Sequence, residues 1–246
     1  MSRFWLVTLF VFSYLLCLVL SVPLARYLPP LLPQGISVTG IQGNLLKGSA
    51  KTVRLNNQPV ENLNWQLDLR ALLSFQPTLE ITARTQGIDI YTRATGHLLS
   101  TDITLEKTRV SASLQDVLAP YQLLLDINGN SALTLAPLSL REPCESLEGK
   151  LTLDTLNSTS LPVLAKLENL TGQLSCQQNT LTLTLPIKQT LLKGDLVFSV
   201  SEQARYHTRI NLNSPDPEVK GLLQNLIGPS NRKGEFYRVF RGRLHL

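Results

Sequence analysis

The chain has 246 residues, a formal net charge of +5 and only 17% charged residues against 43% hydrophobic ones. That length supports one sizeable core. Few charges together with abundant Leu, Thr, Ser, Asn and Gln fit an extensive sheet with one polar face, and argue against a helical enzyme.

The first predicted element is an uncharged run from Phe4 to Val22, carried by Phe4, Trp5, Leu6, Val7, Leu9, Phe10, Leu15, Leu18, Leu20 and Val22. At roughly 1.5 Å per residue it is long enough to cover roughly 30 Å of hydrocarbon. Only Arg3 and the amino group precede it, so the positive charge would stay cytoplasmic and the rest of the chain would be exported. The competing reading is a cleaved signal, with Val19 and Ser21 at the −3 and −1 positions. Its apolar core is longer than such signals need, and Pro23 follows directly. An uncleaved anchor over residues 1–24 is the better reading, with an exported β-rich domain over 25–246. Export also disfavours nucleic acid as a partner.

Next comes Gly43-Asn44-Leu45-Leu46-Lys47-Gly48-Ser49, whose glycines have the spacing of a phosphate loop. The lysine that must follow the second glycine is missing, and neither a leading strand nor a following helix is evident. These glycines read as turn and bulge positions. Beyond them the chain reads as strands. Period-two alternation marks Thr101–Glu106, Ser131–Leu135, Lys150–Asp154 and, most cleanly, Thr180-Leu181-Thr182-Leu183-Thr184-Leu185. Such alternation puts one face into a core and the other towards solvent, as antiparallel sheets do. Turn signals fall at Asn56-Asn57, Gln86-Gly87, Asn128-Gly129-Asn130, Glu148-Gly149 and Gln178-Asn179, and Asn128-Gly129 is expected to close a hairpin. About a dozen strands result, in one long, curved antiparallel sheet.

Helices are few. A short one is expected from Leu114 to Ala119, stopped by Pro120. The clearer one starts at Ser214-Pro215-Asp216-Pro217-Glu218, where Asp216 can cap, Pro217 suits the first helical position and Glu218 complements the dipole. Val219, Leu222, Leu223, Leu226 and Ile227 then share one face, and Gly228-Pro229 ends it. That face is expected to seal an open end of the sheet. The closing segment carries Arg232, Lys233, Arg238, Arg241 and Arg243 against Glu235 alone. Such a stretch keeps an edge strand soluble, or contacts anionic lipid or an acidic partner.

Chemistry is sparse. Cys17 lies in the anchor; Cys144 and Cys176 lie in the exported part, where disulfides persist, and are expected to pair. His97, His207 and His245 show no metal-ligand spacing. Ser37, Ser49 and Ser111 lack the strand-turn-helix setting of a nucleophile elbow. Asp89, Asp102 and Asp126 read as members of solvated strand faces. No catalytic residue, metal ligand or cofactor is nominated, and the chain is read as a non-enzyme. The sequons at Asn157 and Asn169 matter only in a eukaryotic secretory pathway.

The order of these features carries a resemblance. An amino-terminal anchor precedes Val38-Thr39-Gly40-Ile41-Gln42-Gly43-Asn44-Leu45-Leu46-Lys47-Gly48-Ser49-Ala50, then Leu63-Asn64-Trp65-Gln66-Leu67 and Leu72-Leu73. Gly129, Cys144 with Leu147-Glu148-Gly149, and Leu170-Thr171-Gly172-Gln173-Leu174-Ser175-Cys176 follow, then Tyr206, Pro215-Asp216-Pro217, Gly228, Tyr237 and Arg241-Gly242-Arg243-Leu244. Across nearly its whole length the chain resembles the type II secretion system protein N family. Leu46 departs from the tryptophan expected there. The resemblance implies a bitopic inner-membrane protein with its bulk in the periplasm, an accessory part of the machinery that exports folded proteins through the outer membrane. Its implied partners are other secretion subunits, and the membrane through the amino-terminal helix. The family is also similar to AsmA-like proteins with lipid-holding curved sheets, which makes a lipid-handling groove the alternative. No family active-site residues transfer.

Overall fold

In the computed structural model the described residues are 5, 7, 8, 10, 11, 13, 14, 36–55, 58–68, 70–71, 76–85, 87–96, 102–118, 126–141, 144, 147–159, 165, 167, 169–231 and 233–243. They fall into two compact units, Met1–Ile103 and Thr104–Leu246. Most of the expected anchor lies outside the described residues. Trp5, Val7, Phe10, Val11 and Tyr14 are helical and exposed. Among the described residues no helix is long and apolar enough to cross a membrane. The expected turn at Asn56-Asn57, Leu72-Leu73, His97 and His245 also lie outside them.

The protein is mainly β. In the first unit β1 (Ile36–Thr39), β3 (Lys47–Leu55), β4 (Gln58–Asp68), β5 (Thr78–Thr85) and β6 (Ile88–Gly96) pair in that order, and β2 (Gln42–Gly43) folds onto β3. Every ladder is antiparallel. Register puts Trp65, Ile81 and Thr92 in one cross-strand row and Leu67, Leu79 and Ala94 in the next. The register between β4 and β5 shifts between Glu61 and Asn64, with Asn62 at φ 49°. That bulge breaks the strict alternation of β4. Buried apolar side chains here are small: Ala50, Val53 and Ala83.

The second unit continues the pattern through β7 (Ile103–Ser113), β8 (Asn128–Leu135), β10 (Glu148–Asn157), β11 (Leu170–Gln177), β12 (Thr180–Lys188), β13 (Lys193–Ser201), β14 (Arg205–Asn213) and β15 (Phe236–Arg243). A two-residue strand, β9 (Leu138–Ser139), pairs with β7. Helix α1 (Leu114–Leu118) lies between β7 and β8, and α2 (Pro217–Ile227) between β14 and β15. The alternation of β12 propagates through its neighbours. Leu183 faces Leu174 and Phe198, and Leu185 faces Leu196, which faces Ile210. One face therefore collects leucines and aromatics while the other collects Thr, Ser, Asn and Arg.

Two expected turns are strand instead. Asn128-Gly129-Asn130 opens β8, and Glu148-Gly149 opens β10. The glycine at 129 answers to packing: a Cβ there would come within 3.0 Å of the Leu156 side chain and 3.1 Å of the Asp154 carbonyl. Opposite it the register slips, since Asn130 faces Asp154 but Asn128 faces Asn157, and Thr155 takes φ 54°. A positive φ is costly for a β-branched residue. The bulge turns Leu156 to the face already occupied by Leu153, where it is buried.

Candidate interaction surface

The leucine face of the second unit is not covered evenly. Val219, Leu223 and Ile227 of α2 pack with Leu156, Leu167, Leu170, Leu185, Ile187, Leu192 and Phe236 into the buried cluster, with Leu196, Ile210 and Leu212 against it. Leu222 is half-buried and Leu226 is 49% exposed, so the expected five-residue face narrows to three. The other end of the leucine face, with Leu133, Leu151, Leu174, Leu183, Phe198 and Tyr206, is only half-buried.

The placement of α2 follows from its ends. Asp216 Oδ1 accepts from the amides of Glu218 (2.8 Å) and Val219 (3.3 Å), as its sequence position leads one to expect. Ser214, 1% exposed, donates to the Leu191 carbonyl at 2.6 Å and accepts from the Asp216 amide at 3.1 Å. It fastens the helix start to the loop before β13. At the far end the Arg238 guanidinium donates to the Ile227 carbonyl at 2.6 Å and sits 5.5 Å from the Phe240 ring centre. A cation at a helix carboxyl end interacts favourably with its dipole. Arg238 is thereby committed to the fold.

Cys144 and Cys176 form a disulfide with Cα atoms 5.0 Å apart. It ties the segment between β9 and β10 to β11, where Cys176 also donates its amide to the Leu147 carbonyl at 3.2 Å. Closing a loop of this size is worth about 3–4 kcal/mol on the chain-entropy model.

The phosphate-loop lookalike is a closed hairpin. Gln42 faces Ser49 and Gly43 faces Gly48. Asn44 Oδ1 accepts from the amides of Leu46 and Lys47, both at 3.0 Å, and the Asn44 amide donates to the Lys47 carbonyl at 3.0 Å. The amides a phosphate would need are thus already spent on the loop itself. The Trp65 indole lies over Gly48, where an added Cβ would fall 2.2 Å from the ring, and its Nε1 donates to the Asn44 carbonyl at 3.0 Å.

The remaining polar candidates scatter. Ser37, Ser49 and Ser111 sit on β1, β3 and β7. Asp102 precedes β7, and Asp89 on β6 pairs with Arg84 on β5. Asp126 is a loop clamp in front of β8. It accepts from Ser158 Oγ at 2.8 Å and the Thr159 amide at 3.0 Å, and also bonds Thr159 Oγ1. Its partners lie over thirty residues away, so no local pattern marks the role. Among the described residues no three His, Cys, Asp or Glu converge to hold a metal.

Two hollows open on the polar face of the second unit. One, of about 730 Å3, is lined by Thr134, Lys150, Gln173, Ser175 and Thr184 among others. The other, of about 520 Å3, is lined by Thr180, Ser199, Ser201, Arg205, His207 and Arg241. The first offers hydroxyls, an amide, the Lys150 ammonium and the Glu148 carboxylate, and so carries no net charge preference. The second offers two guanidiniums and an imidazole, groups suited to an anionic surface.

A ladder of antiparallel strands with a disulfide, a helix packed on one end of its apolar face and open polar hollows defines a mainly β protein built on one long antiparallel sheet. The family model for type II secretion system protein N matches residues 34–237, and the chain belongs to that family. It is 25% identical over 199 residues to the type II secretion system protein N of Vibrio cholerae serotype O1, an alignment covering 78% of each chain. No solved structure matches it. The family assignment expected from the order of motifs is therefore correct, and the protein is a type II secretion component.

Proposed function

We propose that this protein is an accessory inner-membrane subunit of the type II secretion system, anchored once through Phe4–Val22, whose periplasmic β domain assists export of folded proteins by contacting other subunits. The observation that carries the reading is the family match over residues 34–237. Further support comes from the uncharged amino-terminal run and from the Cys144–Cys176 disulfide, a bond that persists in oxidising compartments. The secretion family supports a binding role over an enzymatic one.

A lipid-handling groove is the second reading, favoured by the half-buried row of Leu133, Leu151, Leu174, Leu183 and Phe198. Against it, Val219, Leu223 and Ile227 of α2 occupy one end of that same face, and a trough open at both ends requires that end to be free.

Deleting the gene should impair release of secreted enzymes while membrane lipid composition stays normal. Intact secretion with lipid co-purifying with the full chain would overturn the first reading in favour of the second. The compartment is checked separately: the chain isolated from cells should migrate faster on non-reducing gels, and two free thiols by mass would remove that support.

A further inference from the structure

Strand β15 closes the second unit and, among the described residues, pairs only with β14. Among the described residues its outer edge therefore has no strand partner along Phe236–Arg243. Tyr237 is 57% exposed on it and Phe240 40%. A long edge with exposed aromatics is a pairing template unless something restrains it.

The charges beside this edge are not distributed as solubility alone would have them. Arg205 lies directly opposite Arg243, and His207 directly opposite Arg241, all on the polar face. Arg205 and Arg243 are like charges in directly opposed positions, which destabilises a sheet. Neighbouring cations have partners inside the molecule: Arg209 meets Asp195 at 3.5 Å, and Arg238 serves the carboxyl end of α2. Arg205, Arg241 and Arg243 make no ion pair among the described residues. Two of them, with His207, line the 520 Å3 hollow. In it Ser201 Oγ is a buried hydroxyl with no hydrogen-bond partner. A clustered cost of this kind is relieved by an anion brought from outside, and the β15 edge, unpaired among the described residues, runs alongside.

The geometry points to β15 as a docking edge for an extended, acidic segment of a partner protein, which would add as a strand on Phe236–Arg243 and place its carboxylates over Arg241, Arg243, Arg205 and His207. Main-chain hydrogen bonds would supply affinity and the arginines would set the charge of the partner. This rests on the reading of the protein as a secretion subunit, and adds to it the face used and the chemistry of the segment it takes. A lipid headgroup would use the arginines and leave the edge unpaired, which is what separates the two occupants.

The test uses the full chain in detergent with a labelled ten-residue peptide alternating Glu and Val, its Gln–Val and Lys–Val counterparts, and vesicles containing phosphatidylglycerol. The Glu–Val peptide should bind, weaken steeply with salt, and slow amide exchange along β15. The Gln–Val form should bind about tenfold more weakly and the Lys–Val form not at all. The exposed double change Arg241→Gln with Arg243→Gln should cost about tenfold in Glu–Val affinity, with thermal unfolding unchanged or slightly raised as the repulsion from Arg205 is relieved. Equal binding of all three peptides, or vesicle binding lost in the double variant without any β15 protection by peptide, would overturn the proposal. In cells the double variant should reduce secretion. If gene deletion abolishes secretion but the double variant secretes normally and the peptide fails to bind, the docking edge is wrong while the secretion role stands. If deletion leaves secretion intact, the role itself falls.

Discussion

The two units use the same antiparallel ladder with opposite solutions for its apolar face. Among the described residues of Met1–Ile103 the buried apolar side chains are Ala50, Val53 and Ala83, and Trp65 is held by Gly48 beneath it and Asn44 beside it. In Thr104–Leu246 ten large apolar side chains cluster, three of them contributed by one helix. A sheet face becomes a core only where another element covers it. The second unit has that cover at one end; among its described residues the first shows cross-strand rows and one indole. Local stability should follow, with the slowest amide exchange around Leu185 and Ile187 and faster exchange throughout the first unit.

The sharpest way to break this contrast is Leu223→Ala in α2. Leu223 is 8% exposed within the cluster, and truncating a buried leucine costs about 2–5 kcal/mol. Urea unfolding of the full chain should show that loss in the transition of the second unit, with Trp65 fluorescence, which reports the first, unmoved. An equal shift of both signals would mean that the units unfold as one.

The next change probes the other side of the comparison. Gly48→Val would drive a side chain into the Trp65 ring, and overpacking of this kind costs about 1–3 kcal/mol. The expected outcome is a red-shifted Trp65 emission with the disulfide and α2 intact. Unchanged emission would show that the indole does not depend on the bare backbone beneath it.

These contrasts were unevenly legible in the amino-acid sequence. Alternation in Thr180–Leu185 marks β12 because each leucine meets another apolar residue across the strand. The start of α2 is legible because its cap bonds are local to Asp216. The bulges at Asn62 and Thr155 are not, since they arise from a register slip against a partner strand. Asn128-Gly129 reads as a hairpin from its residue types alone, whereas the register opposite it makes it the start of β8. Arg238 reads as one more basic residue near the carboxyl end because the carbonyl it serves is eleven residues away. The surplus charge on β14 and β15 is visible as composition, but the opposition of Arg205 to Arg243 needs the register.

The smallest expected effect concerns a cross-strand pair of the first unit, Arg84 on β5 directly opposite Asp89 on β6. A hydrogen bond from the Arg84 guanidinium holds the Asp89 carboxyl below its ordinary value, with burial opposing and the Arg84 charge assisting. A depressed carboxylate contributes stability above its unfolded pKa and loses it as pH falls through the folded one. The first unit should therefore weaken slightly on acidification below the usual carboxylate range, while neutral and alkaline pH leave this contribution in place. Both side chains are largely exposed, so salt should screen most of it. An NMR titration should find the Asp89 midpoint low, and Arg84→Gln should return it to the ordinary range. A midpoint unmoved by that substitution would reject the pair as its cause. Since the alternation of β5 and β6 survives either way, the pair adjusts a ladder that its apolar rows already hold.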